Sequence, residues 1–256
     1  MIRPCLTIFI LFLTTAFYPL SAARGAEIDH AQRYRACMAM IEKDPKQAFS
    51  DAIRWRDLGG REGATHCAAA ALIGLQQYRE AASRLEELAL ESKREPDMKA
   101  RILAQSSQAW LLAGEAARAE ATATAALTLA PDEAAIRVDR AQARAQLKDY
   151  KGALTDLNDS LKINPADVDA LVFRATAKRF LEDISGAAED IESALALNIS
   201  HAEALLERGI LRRLSKYEKG AREDWLMVLS IAPGSDAADA ARANLEKMDV
   251  KLVPEN

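Results

Sequence analysis

Apolar and polar positions recur in step every 34 residues through the second half of this chain. The phrases LTLAPDEAA, LKINPADVDA, LALNISHAEA and LSIAPGSDAA close successive units, and Pro131, Pro165, Ile199 and Pro233 stand 34 residues apart. With units set to begin at 134, 168 and 202, one early phase holds only small residues: Ala141, Ala175 and Gly209. Later phases read Ala153, Ala187, Ala221 and Ser160, Ala194, Val228. Large apolar residues fall between them, at Leu157, Ile191 and Trp225, then at Leu161, Leu195 and Leu229 one turn on. Such spacing marks amphipathic helices, and small residues at fixed offsets let paired helices approach closely. Turns are expected at Lys148-Asp149, Asp183-Ile184 and Ser215-Lys216, ahead of Gly152, Gly186 and Gly220. Helix starts are expected at Asp132 and Asp167 as N-caps, and at Ser200 with Glu203 as a capping box. A fixed period of this size predicts a stack of one helix–turn–helix unit, which presents a long curved surface.

The pattern reaches upstream with decay. Residues 100–133 keep Trp110, Gly114, Ala119, Ala126 and Pro131. Residues 62–99 keep Gly74, Tyr78 and the phrase YREAASRLEELAL, then carry about four extra residues before Met98. Residues 29–61 are weakest, with DPKQAFSDAIRW as a second helix ended by Gly59-Gly60. Ala237, Ala241, Leu245 and Met248 give residues 236–249 one apolar face, as a terminal cap requires.

On the small pairs (Ala141/Ala153, Ala175/Ala187, Gly209/Ala221) and the closing prolines, the chain resembles the tetratricopeptide-repeat family. The resemblance implies an all-α, right-handed solenoid of about six 34-residue helix-turn-helix repeats with a C-terminal capping helix. The repeats would run about 29–61, 62–99, 100–133, 134–167, 168–201 and 202–235, with the cap at 236–249 and a flexible tail at 250–256. In the family, the first helix of each repeat lines the concave face and binds protein or peptide. The inward positions would be Val138, Asp139, Gln142, Val172, Phe173, Thr176, Leu206, Glu207 and Ile210, edged by Arg179 and Arg213. An extended or helical peptide with apolar anchors and an acidic flank would suit that face. The family's basic clamp for C-terminal carboxylates needs lysine and asparagine here. Ala104/Gln108, Val138/Gln142 and Val172/Thr176 stand there instead, which argues against a chaperone-tail adaptor. The family also favours a bulky aromatic late in the first helix, as at Trp110. Later repeats hold Arg144, Lys178 and Arg212 at that phase, where basic stems are expected to snorkel over apolar neighbours.

Charges follow the period too. Arg140, Arg174 and Arg208 are matched, sixteen residues later, by Asp156, Asp190 and Asp224. Three structural ion pairs are expected, the alternative being an arginine ladder for an anion. Cys37 and Cys67 fall on the first helices of adjacent repeats, where a disulfide would staple the weakest units. Two free thiols or a redox switch are the rival readings.

Composition narrows the rest. Alanine accounts for 52 residues, in keeping with helix throughout. Arg3 followed by the apolar stretch Leu6–Tyr18 and the small residues SAARGA reads as a signal peptide over residues 1–26, with a retained membrane anchor as the rival. The remainder, residues 27–256, carries 32 basic against 38 acidic residues, a charge unsuited to nucleic acid or an anionic membrane. His30, His66 and His201 are scattered, with no metal or nucleophile motif, so no cofactor, metal or catalytic residue is expected. The sequence thus leads to a periplasmic or secreted scaffold that binds protein or peptide and does not insert in the membrane once the signal is cleaved. A membrane-tethered subunit of an envelope complex is the alternative, and an envelope hydrolase a more distant one.

Overall fold

A computed structural model describes residues 29–250; the expected signal segment and the tail beyond residue 250 lie outside the described residues. Among the described residues thirteen α-helices follow one another: α1 (His30–Ile41), α2 (Pro45–Trp55), α3 (Arg61–Gly74), α4 (Tyr78–Glu91), α5 (Pro96–Leu112), α6 (Ala116–Leu129), α7 (Ala134–Gln146), α8 (Tyr150–Ile163), α9 (Val168–Phe180), α10 (Ile184–Leu197), α11 (Ala202–Leu214), α12 (Glu218–Ile231) and α13 (Asp236–Val250). Each helix packs on the next in sequence. Odd-numbered helices also touch the next odd one (α1 on α3, α5 on α7, α7 on α9, α9 on α11, α11 on α13), whereas successive even helices stand apart. The stack therefore curves with the odd helices inside. This is an all-α solenoid.

Helix ends are fixed locally. Asp149 and Asp183 accept from the backbone N–H of Gly152 and Gly186 at 2.9 and 3.0 Å. A Cβ on Gly152 would sit 2.1 Å from the other oxygen of the Asp149 carboxylate, Oδ2, so this cap favours glycine three residues on. Asp167 caps α9 through Ala170 N–H at 3.0 Å. Three expectations are corrected. The residue before α7 is Glu133, whose side chain makes no cap, so Asp132 lies outside the helix. His201, not Ser200, caps α11: its Nδ1 accepts from Ala204 N–H, and Glu203 lies within the first turn. Ile184 opens α10; the preceding turn is centred on Glu182. From the pair α3/α4 onward, the turn between the helices of a pair places one residue at positive φ: Gln76, Gly114, Lys148, Glu182 and Lys216. The last four of these keep the 34-residue step, while 38 residues separate Gln76 from Gly114.

Packing explains the small residues. Trp225 is fully buried and donates from Nε1 to the Leu206 carbonyl at 3.2 Å. A Cβ at position 209 would come within 2.3 Å of that nitrogen. Glycine at 209, where the two preceding units have alanine, thus matches tryptophan at 225, where they have leucine or isoleucine. The last helix, α13, closes the core by burying Ala237, Ala238, Ala241, Leu245 and Met248.

Candidate functional site

The periodic charges come first. Arg140 grips Asp156 through two bonds, 2.9 and 2.6 Å. Arg174 grips Asp190 through two bonds of the same lengths. Arg208 holds Asp224 at 2.8 Å. Each carboxylate also receives a second cation: Arg144, Lys178 or Arg212, all at 2.8 Å. Those three side chains do not snorkel toward water. They turn inward and donate as well to the carbonyls of Gly152, Gly186 and Gly220. The basic residue at the family's aromatic phase is thus the second arm of a buried clamp joining both helices of a pair. Hydrogen bonding to Asp156 pushes the Arg140 guanidinium above its usual range. These cations face carboxylates of their own chain, so the ladder belongs to the framework.

The expected concave positions are largely committed to packing. Val138 and Val172 are only 7% and 5% exposed and sit in the main core, with Phe173, Leu206 and Ile210 packed partly buried against it. Glu207 is buried in an ion pair with Arg179. Gln142, Thr176 and Arg213 are half-buried. Asp139 differs from Glu207 at the equivalent phase. It is 7% exposed and receives only the Gln108 amide, at 3.2 and 3.3 Å. Burial pushes its carboxyl up to about 6, with the Gln108 bond opposing. A carboxyl raised on folding contributes stability below its unfolded value, and that contribution is lost as pH rises through 6. Asp139→Asn is therefore expected to stabilise the protein by about 2 kcal/mol at pH 7.5, a gain that vanishes near pH 4. Urea unfolding at the two pH values checks this; equal gains at both would contradict it.

One cleft lies where the repeat breaks. The four extra residues of this unit lengthen α5, which has 17 residues against 13 in each of α7, α9 and α11, and α3 and α5 approach each other less closely than the other odd neighbours. A cleft of about 500 Å³ opens there, lined from α1 by His30 and Tyr34, from α3 by Glu62 and His66, and from α5 by Met98 and Gln105. Arg94 and Arg101 stand at its edge. Trp55 forms one wall, its ring laid against the start of α3. A Cβ on Gly60 would meet that ring at 2.7 Å and one on Gly63 at 3.0 Å, so both glycines make room for it.

Hydrogen bonding fixes the polarity of this cleft. The Trp55 indole N–H, a donor only, gives its proton to His30 Nδ1 at 2.9 Å. His30 therefore carries its own proton on Nε2. His66 Nε2 bonds Gln105 Oε1 at 2.8 Å, and Tyr34 O–H bonds His66 Nδ1 at 3.0 Å. With the amide oxygen accepting, His66 is protonated at Nε2 and its Nδ1 accepts from Tyr34. Burial pushes the His66 imidazole down and keeps it neutral, and burial raises the Tyr34 phenol. The chain of bonds leaves the Gln105 NH₂ group to donate into the cleft. Arg94 donates to Glu62 at 2.5 Å and holds that carboxyl below its usual range. The opening therefore offers His30 and Gln105 as donors beside apolar Leu88, Met98 and Ile102, with Arg101, which faces Glu133 at 3.7 Å, at its edge. Sequence reading missed it because His30 and His66 look unrelated at 36 residues apart; the insertion before Met98 was the available signal.

Cys37 and Cys67 form a disulfide between α1 and α3, with Cα atoms 6.3 Å apart. Among the described residues no group of three His, Cys, Asp or Glu side chains is gathered as for a metal, and no helix is long and apolar enough to cross a membrane.

No protein-family model matches this chain, and no curated protein does. Solved structures do. The chain is similar to PilF of Pseudomonas aeruginosa (TM-score 0.65, 15% identity, covering 84% of this chain and 97% of that one). It is similar to a tetratricopeptide repeat protein from Parabacteroides merdae (0.65, 16%, 85% and 84%). A thermophilic TPR protein of Thermus thermophilus is a third (0.60, 19%, 72% and 98%). The fold is that of the tetratricopeptide repeat.

Proposed function

We propose that this protein is an exported scaffold that binds polypeptide, and that the cleft between α1, α3 and α5 is its recognition site. The observation that carries this reading is the one-sided polarity of the cleft: His30 and Gln105 line it beside an apolar wall, while its one lining carboxylate, Glu62, is already paired with Arg94. Such a surface suits a peptide with an Asp or Glu next to a large apolar residue. The preformed curve of helices and the likeness to repeat proteins support a binding role over an enzymatic one. Export is supported by the apolar stretch Leu6–Tyr18 ahead of small residues, and sequencing the mature N-terminus separates a cleaved signal from a retained tether.

A displayed library of eight-residue peptides tests the site. Bound peptides are expected to pair Asp or Glu with Leu, Ile or Phe. Gln105→Ala is expected to weaken them about tenfold, as for loss of one hydrogen bond to a charged group. Arg101→Glu is expected to shift selection toward Lys and Arg. Binders indifferent to both substitutions would move recognition elsewhere on the solenoid.

A further inference from the structure

The helix that supplies His30 and Tyr34 is weakly held. α1 packs on α2 and α3, and the only residue it buries is Cys37. Met38 and Ile41 are partly buried beside the disulfide. The covalent bond to Cys67 is therefore the main attachment of that wall. Its two cysteines are placed unequally, Cys37 being 7% exposed. Cys67 is fully buried, whereas Cys37 lines a second cleft of about 440 Å³ on another face of α1. Arg33, Met40 and Leu58 also line this second cleft, and Trp55 divides it from the first.

We propose that Cys37 is a thiol-exchange site, and that opening its bond to Cys67 releases α1 and dismantles the recognition cleft. The co-reactant is a dithiol. One of its thiolates attacks Cys37 Sγ through the second cleft, the S–S bond breaks, and Cys67 leaves as a thiolate that takes a proton from water. The second thiol then attacks the mixed disulfide, freeing Cys37 as a thiol. The dithiol leaves as a disulfide, oxidised by the two electrons the protein has gained. Freed of its bond, α1 keeps little buried surface, and the Trp55–His30 and Tyr34–His66 bonds go with it. The chemistry stands apart from the cleft reading; its consequence for binding rests on that reading.

Three measurements on the full protein decide the matter. Exposure to glutathione, acid quenching and peptide mapping are expected to place the adduct on Cys37; an adduct on Cys67, or none, overturns the site. Hydrogen exchange with dithiothreitol present is expected to speed about tenfold or more in residues 30–41, while residues 168–231 keep their rates. Unchanged exchange in α1 overturns the release. Library-selected peptides are expected to bind at least about tenfold more weakly after reduction. Retained binding with a loosened α1 overturns the coupling. If the oxidised protein binds no such peptide, the cleft reading fails, and the adduct and exchange results still judge the latch. Cys37→Ser with Cys67→Ser should reproduce the reduced behaviour without reductant.

Discussion

Asp156→Ala is expected to lower the unfolding free energy by about 3–5 kcal/mol, because it leaves two inward-turned cations without their counter-ion. The Asp156 side chain is 2% exposed, and those of Arg140 and Arg144 are 15% and 21% exposed. Both arginines bond the same carboxylate, and Arg144 also reaches Glu120 on α6. Losing the carboxylate therefore loosens α7 from α8 and disturbs the contact with the preceding repeat. Asp159 is the control. It lies three residues on in the same helix and pairs with Lys162, but its side chain is 39% exposed and the lysine 75%. Asp159→Ala is expected to cost under about 1 kcal/mol, since water screens that pair. Urea unfolding of the two variants separates the cases. Equal losses would mean that the periodic pairs are surface decoration.

The second large effect is at the other end. Replacing Cys37 and Cys67 together by serine is expected to destabilise the N-terminal repeats by about 3–4 kcal/mol, the loop-entropy contribution for a closed loop of this length. Repeat stacks transmit stability mainly between neighbours, so the loss should remain local. It is expected as a new early step in urea unfolding, seen by Trp55 fluorescence, with the later transition little moved. A single transition shifted as a whole would show instead that the stack unfolds as one cooperative body.

These expectations rest on features of different legibility. The helix pairs could be read from the chain because identical neighbours impose identical demands. Each unit needs small residues where helices cross and large ones where they interdigitate, so the sequence repeats its packing problem every 34 residues. The Arg140–Asp156 register was visible for the same reason. The role of Arg144, Lys178 and Arg212 was not. At the phase of Trp110 their stems read as snorkelling over apolar neighbours, and only the fold shows the second cation reaching the same carboxylate. The concave positions suffered similarly. Phase alone places Val138 and Asp139 on an inner helix but does not say that Val138 joins the core shared with α8 and α9, or that Asp139 meets Gln108 of α5.

By itself, then, the sequence determined the all-helical repeat, its units, its closing helix and the in-register charges, because local periodicity and nearest-neighbour packing act over tens of residues. Only the tertiary structure decided where an opening remains. His30, Trp55, His66 and Gln105 have no mutual pattern in the chain. They meet because α5 runs longer than its counterparts, because α3 and α5 lie less close than the other odd neighbours, and because two glycines let an indole ring lie against α3. A break in a repeat has no periodic signal, and its effect depends on what the neighbouring helices then fail to cover.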